Sequence, residues 1–122
     1  LVVGAGIMGA GIAQVAALAG HDVMLYDTRA GAAEQARDKL GSTLDALVSR
    51  GKLAAEAAAS ALARIAPAAR LADGASAGLV VEAIVENLDA KRALFRELEQ
   101  LVDASAVLAT NTSSISVTDV VG

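Results

Sequence analysis

Apolar and polar positions alternate along the chain in blocks that change period. Leu1 to Gly4 is a short apolar run closed by glycine, the look of the tail of a buried strand, and Ile7 to Ala19 is long enough for a helix. Within that helix Ile12, Val15, Ala16 and Ala19 are predicted to form the inner face. Val23 to Tyr26 predicts a second strand. From Ala30 to about Arg50 runs a long helix with the stripe Leu40, Leu44, Leu47 and Val48; Gly41 interrupts it and Gly51 ends it. Ala54 to Ala63 gives another helix. Arg64 to Ala68 reads as a weak strand, and Pro67, lacking an amide proton, suits an edge there.

The second half repeats the alternation. Leu79 to Val85 is a continuous β-rich run, as expected of a strand covered on both faces. Asp89 to Val102 predicts a helix with Asp89 as its N-cap and Leu94, Leu98, Leu101 and Val102 turned inward. Ala106 to Thr110 is a further strand, Asn111 to Ser116 a loop, and a last helical turn is expected near Ser116 or Val117. Strands separated by helices pair in parallel through right-handed crossovers. The expected fold is therefore α/β, a doubly wound and mostly parallel sheet in a three-layer α/β/α arrangement.

Composition narrows the function more than the fold. At 122 residues the chain fits one domain, and its longest apolar stretches are broken by charge or glycine well before the ~20 residues of a membrane span. A formal charge of −4 with 2% aromatic residues gives neither the basic face nor the stacking rings of a nucleic-acid surface. No cysteine is present, so disulfides and thiolate metal sites are excluded, and no metal is expected.

Gly4, Gly6 and Gly9 spell G-x-G-x-x-G between a predicted strand and a predicted helix, the context in which that pattern binds a dinucleotide. Gly4 permits the tight turn, Gly6 lets the pyrophosphate reach the backbone, and Gly9 lets helix and strand approach. Ile7 and Met8 fill the first helical turn, whose free amides and positive dipole end favour a phosphate without any lysine. Asp27 closes the second strand 18 residues past Gly9, near the spacing of a carboxylate that binds the adenine ribose. Such a carboxylate repels a 2′-phosphate, so NAD is expected rather than NADP. Arg29 two residues later is expected against the adenine or free in solvent. The plain alternative is that the glycines serve a turn and Asp27 a cap.

The segments VVGAGIMGAGIAQVAALAGHDVMLYD, VVEAIVENLDAKRALFRELE and LATNTSSIS together resemble the NAD-binding domain of the 3-hydroxyacyl-CoA dehydrogenases, a Rossmann-type fold. The resemblance runs through nearly the whole chain. It implies that Glu86 and Lys91 lie beside the nicotinamide ribose, that Asn111 holds the loop or the ligand, and that Ser113 contacts both cofactor and the 3-oxygen of the substrate. Against those roles stand a surface ion pair for Glu86 and Lys91, and helix capping for Ser113 and Ser114. Arg50 and Lys52 fall where the family sets basic residues against coenzyme A phosphates, although a helix C-terminus also welcomes positive charge. Glu82, an acid inside an apolar strand, requires a partner if buried and is left as either an anchor or a reactive group.

The resemblance further implies hydride transfer from C3 of an L-3-hydroxyacyl-CoA to NAD, with a histidine as general base. In the family that histidine lies beyond Gly122, and His21 precedes the second strand, at the wrong edge of the sheet. The chain is thus expected to be one NAD-binding domain, residues 1–122, trimmed at both ends and lacking the family's catalytic histidine and C-terminal helical domain. That missing domain would make the parent enzyme a homodimer, expected in the cytoplasm and in contact with acyl-CoA, but not with nucleic acid or membrane. An L-gulonate 3-dehydrogenase, or a dinucleotide-binding protein without chemistry, remains the alternative.

Overall fold

Five parallel strands form one sheet in the order β3-β2-β1-β4-β5, described by a computed structural model over residues 1–84, 87–102 and 106–110. The strands are β1 (Val2–Val3), β2 (Val23–Tyr26), β3 (Ile65–Pro67), β4 (Leu79–Glu82) and β5 (Val107–Thr110). Between them run the helices α1 (Ile7–Leu18), α2 (Ala32–Ser49), α3 (Ala55–Ala63) and α4 (Leu88–Leu101), with a 3-10 turn at Leu71–Gly74. All four strand pairs are parallel, and Val2 lies between Leu25 and Val81, Val3 between Tyr26 and Glu82. The three-layer doubly wound expectation is met.

Because successive residues of a strand point to opposite faces, β1 splits its side chains between two cores. Val2 joins Val23, Leu25 and Ile65 beneath α1, α2 and α3, where Ala13, Ala17, Leu40, Leu44 and Ala61 close the layer. Val3 joins Val80, Leu71 and Leu98 beneath α4 on the other side. Pro67 ends β3 at the sheet edge, where its missing donor costs no ladder bond. Arg37 fixes that edge, its Nε donating to the Ile65 carbonyl at 2.7 Å and a terminal nitrogen to the Leu62 carbonyl at 3.0 Å.

Three local expectations are corrected. The buried seam of α1 is Gly9, Ala13 and Ala17, whereas Ile12 and Ala16 are half-buried, Ala19 is exposed and Val15 is 70% exposed. Every residue of this helix except Gln14 is apolar or glycine, so the sequence has no contrast to mark a face, and close packing selects the smallest side chains. Helix α4 is capped by Asn87, whose side chain accepts from the Ala90 amide at 3.0 Å, and Asp89 falls inside the first turn. Helix α2 begins at Ala32, after Gly31 at φ 77°, and not at Ala30. The expected loop from Asn111 and the helical turn near Val117 lie outside the described residues.

Candidate functional site

In an open parallel sheet the ligand crevice lies beyond the carboxyl ends of the strands. Here β1 and β2 end side by side at Gly4 and Asp27, and β4 ends beside them at Glu82. The Gly4 amide donates to the Tyr26 carbonyl at 2.7 Å, the last rung of the ladder, and the Ala5 amide then donates to Asp27 Oδ2 at 2.8 Å. One carboxylate thereby locks the turn to the neighbouring strand. Gly4 itself is at φ 109°, and a Cβ there would stand 2.5 Å from the Ala83 carbonyl oxygen, so only glycine passes. Gly9 is equally constrained: its Cβ would lie 1.7 Å from the Gly4 carbonyl oxygen.

Gly6, by contrast, faces open space, with nothing within 4 Å of a Cβ built on it. It is the N-cap of α1 and offers no side-chain cap, and the first turn carries no acidic residue. Ile7 is 93% and Met8 58% exposed at this tip. An uncapped helix start at an empty approach is the arrangement that receives an anion. A cavity of about 650 Å³ opens there, walled by Gly4, Gly6, Asp27, Leu71, Ile84 and Leu94, and a smaller groove of about 430 Å³ between α1 and α2 shares Gly6 and Arg29 with it.

Asp27 is the charged group at the strand ends in this cleft, whose walls also include Arg29 and Glu97. Burial raises its pKa, but the side-chain bond from Arg29, the Ala5 and Arg29 amides and the guanidinium charge outweigh that and hold it below the ordinary aspartate value. It is therefore an anion at neutral pH. Arg29 is found paired with Asp27, Nε at 3.2 Å from Oδ1, while most of its side chain stays in solvent.

Glu82 and Lys91 form a second charged element, inside the protein. Lys91 Nζ donates to both Glu82 carboxylate oxygens, at 2.9 and 3.0 Å, and neither side chain has any exposure. Glu82 Oε2 also accepts from the Ile84 amide at 2.7 Å. The pair ties the end of β4 to the first turns of α4, so Lys91 is an internal cation and not a surface one. Glu86, Asn111 and Ser113 lie outside the described residues. Arg50 and Lys52 are exposed past the far end of α2, some ~27 Å along the helix from the cleft at 1.5 Å per residue. His21 is exposed at the opposite edge of the sheet, before β2. Sequence reasoning missed the Glu82–Lys91 pair, whose only signal was an acid inside an apolar strand.

A family model described as the NAD-binding domain of 3-hydroxyacyl-CoA dehydrogenase matches residues 1–122. The chain belongs to this family. It is 47% identical over 117 residues to 3-hydroxyadipyl-CoA dehydrogenase of Escherichia coli K12, across 96% of this chain and 25% of that protein. It is 44% identical to a probable 3-hydroxybutyryl-CoA dehydrogenase of Deinococcus radiodurans, across 96% of this chain and 42% of the relative. A solved structure of 3-hydroxybutyryl-CoA dehydrogenase from E. coli K12 superposes with a TM-score of 0.94 at 45% identity, covering 98% of this chain and 26% of that one. The domain thus spans a quarter to about two-fifths of the length of these relatives.

The residues present fit a dinucleotide. Gly6 leaves the space, the start of α1 has no side-chain cap, and the Asp27 carboxylate stands beside it at the carboxyl end of the sheet. No helix among the described residues is long and apolar enough to cross a membrane.

Proposed function

We propose that this domain holds the NAD of an enzyme that interconverts L-3-hydroxyacyl-CoA and 3-oxoacyl-CoA. The observation that carries the reading is the uncapped start of α1 standing next to an ionised Asp27 at the carboxyl end of the sheet. Gly4, Gly6, Ile7, Met8 and Gly9 form the pyrophosphate turn, and Asp27 takes the adenosine ribose hydroxyls while its charge disfavours a 2′-phosphate. Glu86 serves the nicotinamide ribose, and Lys91, buried against Glu82, holds the end of β4 to the start of α4 beside it without touching the ribose itself. Asn111 and Ser113, which follow β5 in sequence, contact the cofactor and the substrate 3-oxygen. Bound NAD supplies the hydride acceptor for C3 of the hydroxyacyl thioester, and the hydroxyl proton goes to a histidine base outside this chain. Arg50 and Lys52 are left for the coenzyme A phosphates.

The parent enzyme is proposed as a cytoplasmic homodimer joined by a further domain. Its test is NAD reduction by the full-length protein with L-3-hydroxybutyryl-CoA, against L-gulonate as the competing substrate. Turnover of the sugar acid alone would move the assignment to the other dehydrogenase. Absence of turnover with both would leave a dinucleotide-binding protein without this chemistry. For the cofactor, calorimetry of Asp27→Ala is expected to show weakened NADH binding and a narrowed advantage over NADPH; unchanged affinity for both would remove Asp27 from the site.

A further inference from the structure

A carboxylate offers about four lone-pair directions, two on each oxygen. In this domain all four of Asp27 are engaged. The Ala5 amide and an Arg29 terminal nitrogen reach Oδ2 at 2.8 and 3.2 Å, and the Arg29 amide and Nε reach Oδ1 at 2.9 and 3.2 Å. Two of these donors are backbone amides that the turn and the β2–α2 connection fix in place. The other two belong to one guanidinium, which takes one direction on each oxygen. A vicinal diol presents its two hydroxyls to a carboxylate in that same way, so ribose and Arg29 compete for the same pair of acceptors.

The two competitors differ in how firmly they are held. The Arg29 side chain is 69% exposed while that of Asp27 is 10% exposed, so the arginine covers the acid from the solvent side. Arg29 also stands in the walls of both the main cavity and the groove between α1 and α2, with room to leave one for the other. An exposed ion pair is weak, equivalent to at most about fivefold in an equilibrium constant. It is strong enough to occupy the site and weak enough to yield.

We propose that Arg29 is a displaceable latch on the ribose subsite: its guanidinium occupies the diol acceptors of Asp27 in the free protein, and the dinucleotide must release it to bind. The inference rests on the reading of Asp27 as the ribose ligand. Arg29→Lys keeps the positive charge near the pyrophosphate but removes the fork, so long-range attraction is preserved while the latch is loosened. In the full-length protein, NADH affinity of Arg29→Lys is expected to rise twofold to fivefold, with the gain in the association rate constant measured by stopped flow, because the latch acts on the free site.

Asp27→Ala, measured alongside, separates the two ideas. If Asp27→Ala weakens NADH binding and Arg29→Lys tightens it through association, the latch stands. If Asp27→Ala weakens binding while Arg29→Lys leaves it equal or weaker, or improves only dissociation, the latch is overturned and the ribose assignment survives. If Asp27→Ala leaves NADH affinity untouched, both fall together.

Discussion

Replacing glycine by alanine at three positions of one helix start is expected to give three different outcomes. At Gly11, inside α1 and with nothing within 4 Å of the added Cβ, alanine improves helix propensity and should stabilise by about 0.8–1.0 kcal/mol. At Gly9 the same propensity gain is overwhelmed. The Cβ would stand 1.7 Å from the Gly4 carbonyl oxygen where ordinary contact begins at 3.4 Å, so α1 must retreat from the β1 turn. The atom struck is backbone and cannot rotate away, which places the cost at the upper end of the about 1–3 kcal/mol of overpacking.

Gly6 has neither term. Its φ of −75° and ψ of −170° suit any residue and its Cβ meets nothing, so Gly6→Ala should leave stability within about 0.5 kcal/mol of the parent. The methyl group instead fills the approach of the pyrophosphate, and NADH affinity should fall about tenfold or more. Urea unfolding reads the first two effects. With a slope of about 2 kcal/mol per molar, Gly11→Ala raises the midpoint by about 0.5 M and Gly9→Ala, net of the propensity gain, lowers it by about 1 M. Calorimetry with NADH reads the third. Equal unfolding midpoints for the Gly6 and Gly9 variants, or normal NADH binding by Gly6→Ala, would refute the division between a packing glycine and a ligand glycine.

Lys91→Met should cost about 3–5 kcal/mol, because it strips the Glu82 carboxylate of its ammonium in a place without solvent. Adding Glu82→Gln to it should recover at least half of the loss in the same urea titration, and a double variant as unstable as the single would contradict the pairing argument. Asp27 sets an acid dependence. Its folded pKa is depressed, so its contribution to folding is complete above the ordinary aspartate value of ~3.9 and is lost as pH falls through the folded value. The stability gap between the parent and Asp27→Asn should therefore be widest at neutral pH and shrink below about pH 4; a gap that stays constant down to pH 3 would remove that contribution.

The strand and helix alternation was legible because β1, Val2–Val3, is buried on both faces and reads as an apolar run, and α2 carries a clear Leu40, Leu44 stripe. The turn between β1 and α1 was legible because Gly4 and Gly9 have no substitute at their positions. The inner face of α1 was not, since its apolar residues surround the axis and only size distinguishes Ala13 from Val15. The choice of Asn87 over Asp89 as cap depends on where β4 releases the chain, which neither residue reports by itself. The Glu82–Lys91 bond joins a strand end to a helix: an acid inside an apolar strand announces that a partner is needed, but not which element supplies it. Arg29 was ambiguous for a different reason: an exposed arginine has many partners in reach, and only the geometry of Asp27 selects one.

The strand order has a consequence for the chain as it is made. Val2 pairs on one flank with Leu25 and on the other with Val81, and the second partner leaves the ribosome long after the first. During that interval the Leu1 and Val3 carbonyls, destined for the Val81 and Ala83 amides, form the raw margin of a half-finished sheet. Protease sensitivity of stalled nascent chains whose emerged portion ends before and after Ile84 should differ sharply, and equal sensitivity would show that the first half is already closed. Since Ala83 and Ile84 also wall the larger cavity, that cavity lacks one side in a nascent chain until the central seam is zipped, and a dinucleotide seated there is a late-arriving clasp across that seam.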